Sequence, residues 1–381
     1  MVFRDRLGPR PDHLLELRFG SRSGRAPGHP LRGSPHGTPT FGSESTGFGR
    51  RSTSAPAVRP KGPGDSYSPG PFTCHTQGRS PGGPPGTTSV TAARRKVETV
   101  HEIRWISLAG LANLRDVGGL PTLDGAMIAP GRLLRSDNLQ DLPADTQARL
   151  VDDLGVTDVI DLRTYVEIAR EGSGPFVGHE RVRTSHFTLY ADDTGQRGIP
   201  QLPDGPDDAP TDPELPWVVK DRKAQAAGRP AFADPEVDHD TRWSGHYLDY
   251  LRERPDSVVG ALRTISMAEG AVLVHCAAGK DRTGTIVGLA LAAAGAQPEA
   301  IARDYAATAE RLEAVLARLR TSPAYAAQLA GQSLAQQTPR AETMRTMLQA
   351  LQRRYGGALG WLGQHGWTAS DTAALHAKLR S

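Results

Sequence analysis

Cys276 and Arg282 are the pair in this 381-residue chain whose types and spacing suit joint chemistry. They lie in the stretch Ala271-Val-Leu-Val-His-Cys-Ala-Ala-Gly-Lys-Asp-Arg-Thr-Gly. The apolar run Ala271 to Val274 predicts a buried strand, and Ile286 to Ala294 predicts a packed helix beginning near Thr283. Cys276 therefore stands where a strand hands over to a helix. At a helix start the first N–H groups lack partners and the dipole favours negative charge. A loop of Ala277, Ala278, Gly279, Lys280, Asp281, Arg282 and Thr283 over that end can turn its N–H groups toward phosphate oxygens. Gly279 permits the close bend. Arg282 adds a planar fork that grips two oxygens and keeps its charge near neutral pH. The same field favours thiolate over thiol at Cys276. Thr283 can offer the sulfur a hydroxyl hydrogen bond, and His275 can order the loop. The implied chemistry is a thiolate meeting a tetrahedral dianion.

The bland reading is an inert thiol at a strand end, the usual fate of a free cysteine. The chain holds its own control. Cys74 is followed by Arg79 five positions on, with no apolar strand before it and no helix pattern after it. The stretch around Cys276 has the spacing, the strand, the His, the Gly and the closing Thr-Gly together. In that form, His275-Cys-x-x-Gly-Lys-Asp-Arg-Thr-Gly resembles the signature loop of the cysteine-dependent tyrosine phosphatase superfamily. The Lys280-Asp281 pair resembles its bacterial branch with tyrosine and phosphoinositide phosphatase activity, the type secreted by pathogenic mycobacteria. Similar segments recur as Asn113-Leu-Arg-Asp-Val-Gly-Gly, Pro130-Gly-Arg-Leu-Leu-Arg-Ser-Asp and Asp161-Leu-Arg-Thr, so the resemblance runs from about residue 105 to the C-terminus. Read without it, Arg115, Arg135 and Arg163 are structural ion-pair partners.

The resemblance implies a two-step phosphomonoester hydrolysis through a phosphocysteine on Cys276. Arg282 and the loop amides stabilise the equatorial oxygens, and an aspartic acid protonates the leaving oxygen. The family places that acid shortly after a strand, which aligns with Asp192. Here the usual Pro-Phe-Pro-Asp approach is Leu189-Tyr-Ala-Asp, and Asp281 inside the loop is the competing acid. Phosphotyrosine proteins are the implied substrates. Phosphoserine, phosphothreonine and phosphoinositides are further classes, and Lys280 would favour the more anionic ones. Two other readings stay open. One is a sulfurtransferase or arsenate-reductase-like thiol enzyme, which the spacing to Arg282 and the Thr-Gly ending oppose. The other is a non-catalytic phosphoprotein-binding module, which intact Cys276 and Arg282 oppose.

The elements that must position these residues can be read along the chain. Residues 1–96 carry 15 Lys and Arg against 5 Asp and Glu, net +10 in a chain of net +3, and are rich in Gly, Pro and Ser. Their apolar residues are too sparse for a core, which predicts a disordered tail. Its scattered arginines show no patch or aromatic interleaving, so nucleic-acid binding is not expected. Residues 97–381 then form one α/β domain, with 191–243 as a Pro- and Asp-rich insertion or lid. Strands are expected at 131–136, 156–162 and 183–189, with a helix from Pro143 to about Leu154 stopped by Gly155. Strands alternating with helices predict a central, mostly parallel sheet flanked by helices, with ligands at the carboxyl ends of its strands. Helices are expected at 243–252, 257–267, 298–320, 340–354 and 370–379, the last capped by Ser370. Two cysteines suit a reducing, cytoplasmic compartment, and residues 1–20 lack the apolar core of a secretory signal. No apolar run has the length of a membrane span. No Cys/His cluster has metal-ligand spacing, and the chemistry calls for neither metal nor cofactor.

Overall fold

The computed structural model describes residues 102–191, 214–228 and 237–381. The expectations for residues 1–96, for Asp192 and for most of the 191–243 insertion lie outside the described residues. The strands are β1 (Arg104–Trp105), β2 (Arg115–Asp116), β3 (Leu133–Ser136), β4 (Val156–Asp161), β5 (Arg183–His186) and β6 (Ala271–His275). They form one sheet in the order β1-β2-β3-β6-β4-β5. Strands β3, β6, β4 and β5 run parallel, and β2 and β1 extend the β3 edge antiparallel. The helices up to the loop are α1 (Ala144–Asp152), α2 (Tyr165–Glu171), α3 (Pro216–Ala226), α4 (His239–Glu253) and α5 (Pro255–Met267). After it come α6 (Asp281–Ala293), α7 (Pro298–Ala307), α8 (Leu312–Thr321), α9 (Ala326–Leu329), α10 (Leu334–Gln337), α11 (Ala341–Tyr355), α12 (Ala358–Gln364) and α13 (Ala369–Leu379). The mostly parallel α/β architecture expected from the alternation is the one observed.

Alternation along the strands divides the core. Successive side chains of a strand point to opposite faces. In β6, Val272 and Val274 enter the larger core beside α4, α5, α6 and α11, while Ala271 and Leu273 enter a smaller core with Leu150, Val151 and Phe176. Leu133 and Leu134 of β3 divide in the same way. Val272, Leu273 and Val274 are all fully buried, so β6 is the sheet's central staple. Each contributes roughly 1.5–3 kcal/mol of burial. Helix α6 is apolar on nearly every side and runs back through the larger core, which fixes its N-terminus at the end of β6.

Several details depart from expectation. Helix α2 was not foreseen; a capping box between Thr164 and Glu167 starts it straight after β4. The single helix expected over 298–320 is two helices joined by a 3-10 turn at Thr308–Arg311. Arg115 is the cause: its guanidinium donates to Asp304 O at 2.8 Å and Thr308 Oγ1 at 3.0 Å. With that carbonyl occupied, the Thr308 N–H turns to Tyr305 O and Ala306 O. The last helix is capped by Thr368, bonded reciprocally with Asp371, rather than by Ser370. Within the expected insertion, residues 216–226 form α3, and its end is already α4, which Asp238 caps.

Candidate active site

The register of the parallel strands brings the site residues together. Ser136 of β3 and Asp161 of β4 both pair with His275 at the end of β6. The chain leaves these three strands at Asp137, Leu162 and Cys276, side by side at the sheet's carboxyl edge. The carbonyls of the following loop are tied outward. Asn138 N–H donates to Ala277 O at 2.9 Å. Asn113 Nδ2 donates to Ala278 O at 3.0 Å, and Arg135 donates to Gly279 O at 2.8 Å. A trans peptide points its N–H opposite its C=O. Fixing these carbonyls outward therefore turns the amides of Ala278, Gly279 and Lys280 inward, as an oxyanion requires. Helix α6 starts at Asp281 with no side-chain cap, so its first amides add to the same cup. Gly279 has φ +64°, and a Cβ there would stand 2.2 Å from Ser136 O, so glycine is required on both counts.

Arg282 is held by a residue the sequence reading missed. Its two terminal nitrogens meet the two oxygens of Glu167 at 2.5 and 2.8 Å, and it also donates to Leu162 O at 3.1 Å. Glu167 is fully buried and is also the acceptor of the α2 capping box, while Tyr325 OH donates to its Oε1 at 2.8 Å. Burial opposes both charges, but the pair outweighs it: Arg282 is raised well above its ordinary pKa and Glu167 is held below the usual carboxylate range. The signal that could have found Glu167 is the Thr164-x-x-Glu167 capping pattern directly after Asp161-Leu-Arg.

The remaining expected residues sort as follows. Cys276 is 2% exposed, at the base of the loop, and both Arg282 and Lys280 lie close enough to interact with its sulfur. Lys280 is buried, its ammonium 4.4 Å over the ring of Trp243. Burial pushes its pKa down, against the opposing pull of Asp281. The Asp281 carboxylate accepts from Tyr247 OH at 2.5 Å, and that phenol meets Tyr305 OH at 2.7 Å. Thr283 does not bond the sulfur. Helix α6 begins two residues earlier than expected, so Thr283 falls in its first turn, with Oγ1 buried and lacking a hydrogen-bond partner among the described residues. His275 packs behind the loop, 3.8 Å from Asp161, and burial lowers its pKa to about 4, so it is neutral. Asp192 lies outside the described residues. Arg115 and Arg135 share Asp304, and Arg163 pairs with Asp161 and Glu171, all buried behind the loop.

A cavity of about 590 Å³ opens over the loop. Ala277, Asp281 and Arg282 form its floor. Its walls include Tyr190, Trp217, Trp243 and Tyr250, and the Arg282 guanidinium lies 5.5 Å over Trp217. Its size is that of ordinary small-molecule sites, with a few charged groups converging on an aromatic wall. Among the described residues, no helix is long and apolar enough to cross a membrane.

Comparison with known proteins places the chain in a family. The chain is 32% identical over 215 residues to the triple specificity protein phosphatase PtpB of Mycobacterium tuberculosis, covering 56% of this chain and 72% of that protein. It is 33% identical over 157 residues to a tyrosine-protein phosphatase of Nostoc commune, covering 39% of this chain and 50% of the relative. A sequence profile of the tyrosine phosphatase family matches residues 106–381, from just after β1 to the last residue given. This chain belongs to the tyrosine phosphatase family.

Proposed function

We propose that the protein hydrolyses phosphotyrosine in proteins through a phosphocysteine on Cys276. The observation that carries this reading is the loop whose carbonyls are pinned outward, with Cys276 at its base and Arg282 clamped by Glu167 beside it. The Cys276 sulfur attacks phosphorus as the bond to the leaving oxygen breaks. Amides of the cup and Arg282 take the charge on the equatorial oxygens. An aspartic acid gives its proton to the leaving oxygen, then as carboxylate takes one from the water that breaks the P–S bond. Asp281, on the cavity floor within the loop itself, supports this role. Asp192 is the candidate drawn from the family resemblance, and the variants Asp281→Asn and Asp192→Asn separate the two: the true acid's loss removes the basic limb of the pH–rate profile.

The aromatic walls support an aryl phosphate as first substrate. The mycobacterial relative's name, triple specificity, supports phosphoserine or phosphothreonine and phosphoinositides as further classes. Lys280, a cation buried next to Asp281 behind the cavity wall, supports the more anionic of them. The test is rapid acid quenching of the enzyme turning over a radiolabelled phosphotyrosine peptide. Label is expected on the peptide containing Cys276, and Cys276→Ser is expected to lose turnover by at least about a thousandfold. Retained turnover in Cys276→Ser would overturn the assignment.

A further inference from the structure

We propose that Gln337 restrains the choice of substrate by holding Lys280 away from the cavity. The inference rests on the phosphatase reading above and names a residue that tunes it. Lys280 Nζ donates to both oxygens of Gln337, the backbone carbonyl at 2.8 Å and the side-chain Oε1 at 2.9 Å. The same ammonium lies 4.4 Å over the Trp243 ring and 3.6 Å from Asp281 Oδ2. Gln337, Trp243 and Asp281 all line the cavity, whereas Lys280 is 2% exposed and does not. The cation therefore sits one layer behind the wall, screened by three groups that face the substrate.

Two of those contacts are weak holds. The Gln337 oxygens are neutral, and an ammonium has three donors that bond an anionic oxygen more strongly than an amide. Gln337 ends α10, a four-residue helix with no buried residue, so little packing opposes its displacement. A substrate with one phosphate needs only the amide cup and Arg282. A substrate with a second phosphoryl group beside the scissile one gains Lys280 as well, but must first take it from Gln337. Gln337 thus lowers the advantage that a doubly phosphorylated substrate would otherwise have.

The test compares kcat/KM for phenyl phosphate and catechol bisphosphate, which differ by the neighbouring phosphate alone. In Gln337→Ala the ratio of the second to the first is expected to rise about fivefold or more over wild type, since one hydrogen bond to the charged group is lost. Gln337→Asn, too short to reach, keeps an amide at the surface and should raise the ratio in the same direction if the alanine variant folds poorly. Adding Lys280→Met to either variant should cancel the gain. An unchanged ratio, an equal change with both substrates, or a gain that survives Lys280→Met would overturn the role of Gln337 while leaving the phosphatase reading intact. If wild type turned over neither compound nor a phosphotyrosine peptide, that reading would fall instead.

Discussion

The floor and the outer wall of the cavity are built differently. On the floor, every loop carbonyl from Ala277 to Gly279 has a partner, and those partners are themselves anchored. Asn113 Oδ1 accepts from Arg115 at 2.5 Å, Arg115 and Arg135 share the buried Asp304, and Asp137 fixes the amides of Ala112 and Asn113 at 3.1 and 3.0 Å. The outer wall is made of α3, α9 and α10. Helices α9 and α10 have four residues each and none buried, and α3 buries only Pro216. Its ties are side-chain contacts such as Trp217 to Gln328 at 2.7 Å and Lys220 to Asp249 and Glu253 at 2.8 Å. The floor is over-determined because an oxyanion cup must be preorganised to be useful. The wall is lightly held, so changes there are expected to act on substrate fit more than on the cup.

The sharpest way to break this contrast is Glu167→Gln. It leaves the shape but removes the charge that faces buried Arg282, which costs about 3 kcal/mol or more. The expected outcome is a fall in kcat/KM of about a hundredfold with every substrate, measured on folded protein. A substrate-dependent loss would mean that Glu167 acts on the wall instead.

Acid should strain the floor and the inner side of the cavity. His275 behind the floor and His246 on α4, at the inner side of the cavity, are each lowered by burial to about 4. The unfolded chain binds their protons from about pH 6.5 downward while the folded chain does not, so stability is lost as pH falls through that window toward 4. By about pH 5 each histidine removes roughly 2 kcal/mol. Urea midpoints across this range test it, and His246→Asn should flatten the dependence by one histidine's share.

The smallest effect is expected at the wall. Trp217→Ala removes a ring under Arg282 and one side of the cavity, worth about 1 kcal/mol. It should raise KM for aryl phosphates roughly fivefold with little change in kcat, and a collapse of kcat would place Trp217 with the floor.

This division also decides what the sequence could disclose. Cys276, Gly279 and Arg282 are neighbours in the chain, so the loop that carries them could be read together with the flanking apolar runs that form β6 and α6. Glu167 lies 115 residues from Arg282 and Tyr325 lies 158 residues from Glu167, so no local pattern links them. The break between α7 and α8 is equally remote in origin: its cause, Arg115, is 189 residues from Asp304. The wall helices carry short, mixed sequences that nothing in the periodicity distinguishes from loop. A loop of adjacent residues was legible, and support assembled from distant ones was not.

The central claim is that one amide-lined cup holds an oxyanion against residue 276. A crystal structure of the protein soaked in tungstate tests it most directly. The anion is expected inside the loop, on the amides between Ala277 and Arg282, with two of its oxygens on the Arg282 guanidinium. Tungstate bound elsewhere while the loop stays empty, or Arg282 turned away from the bound anion, would contradict the account.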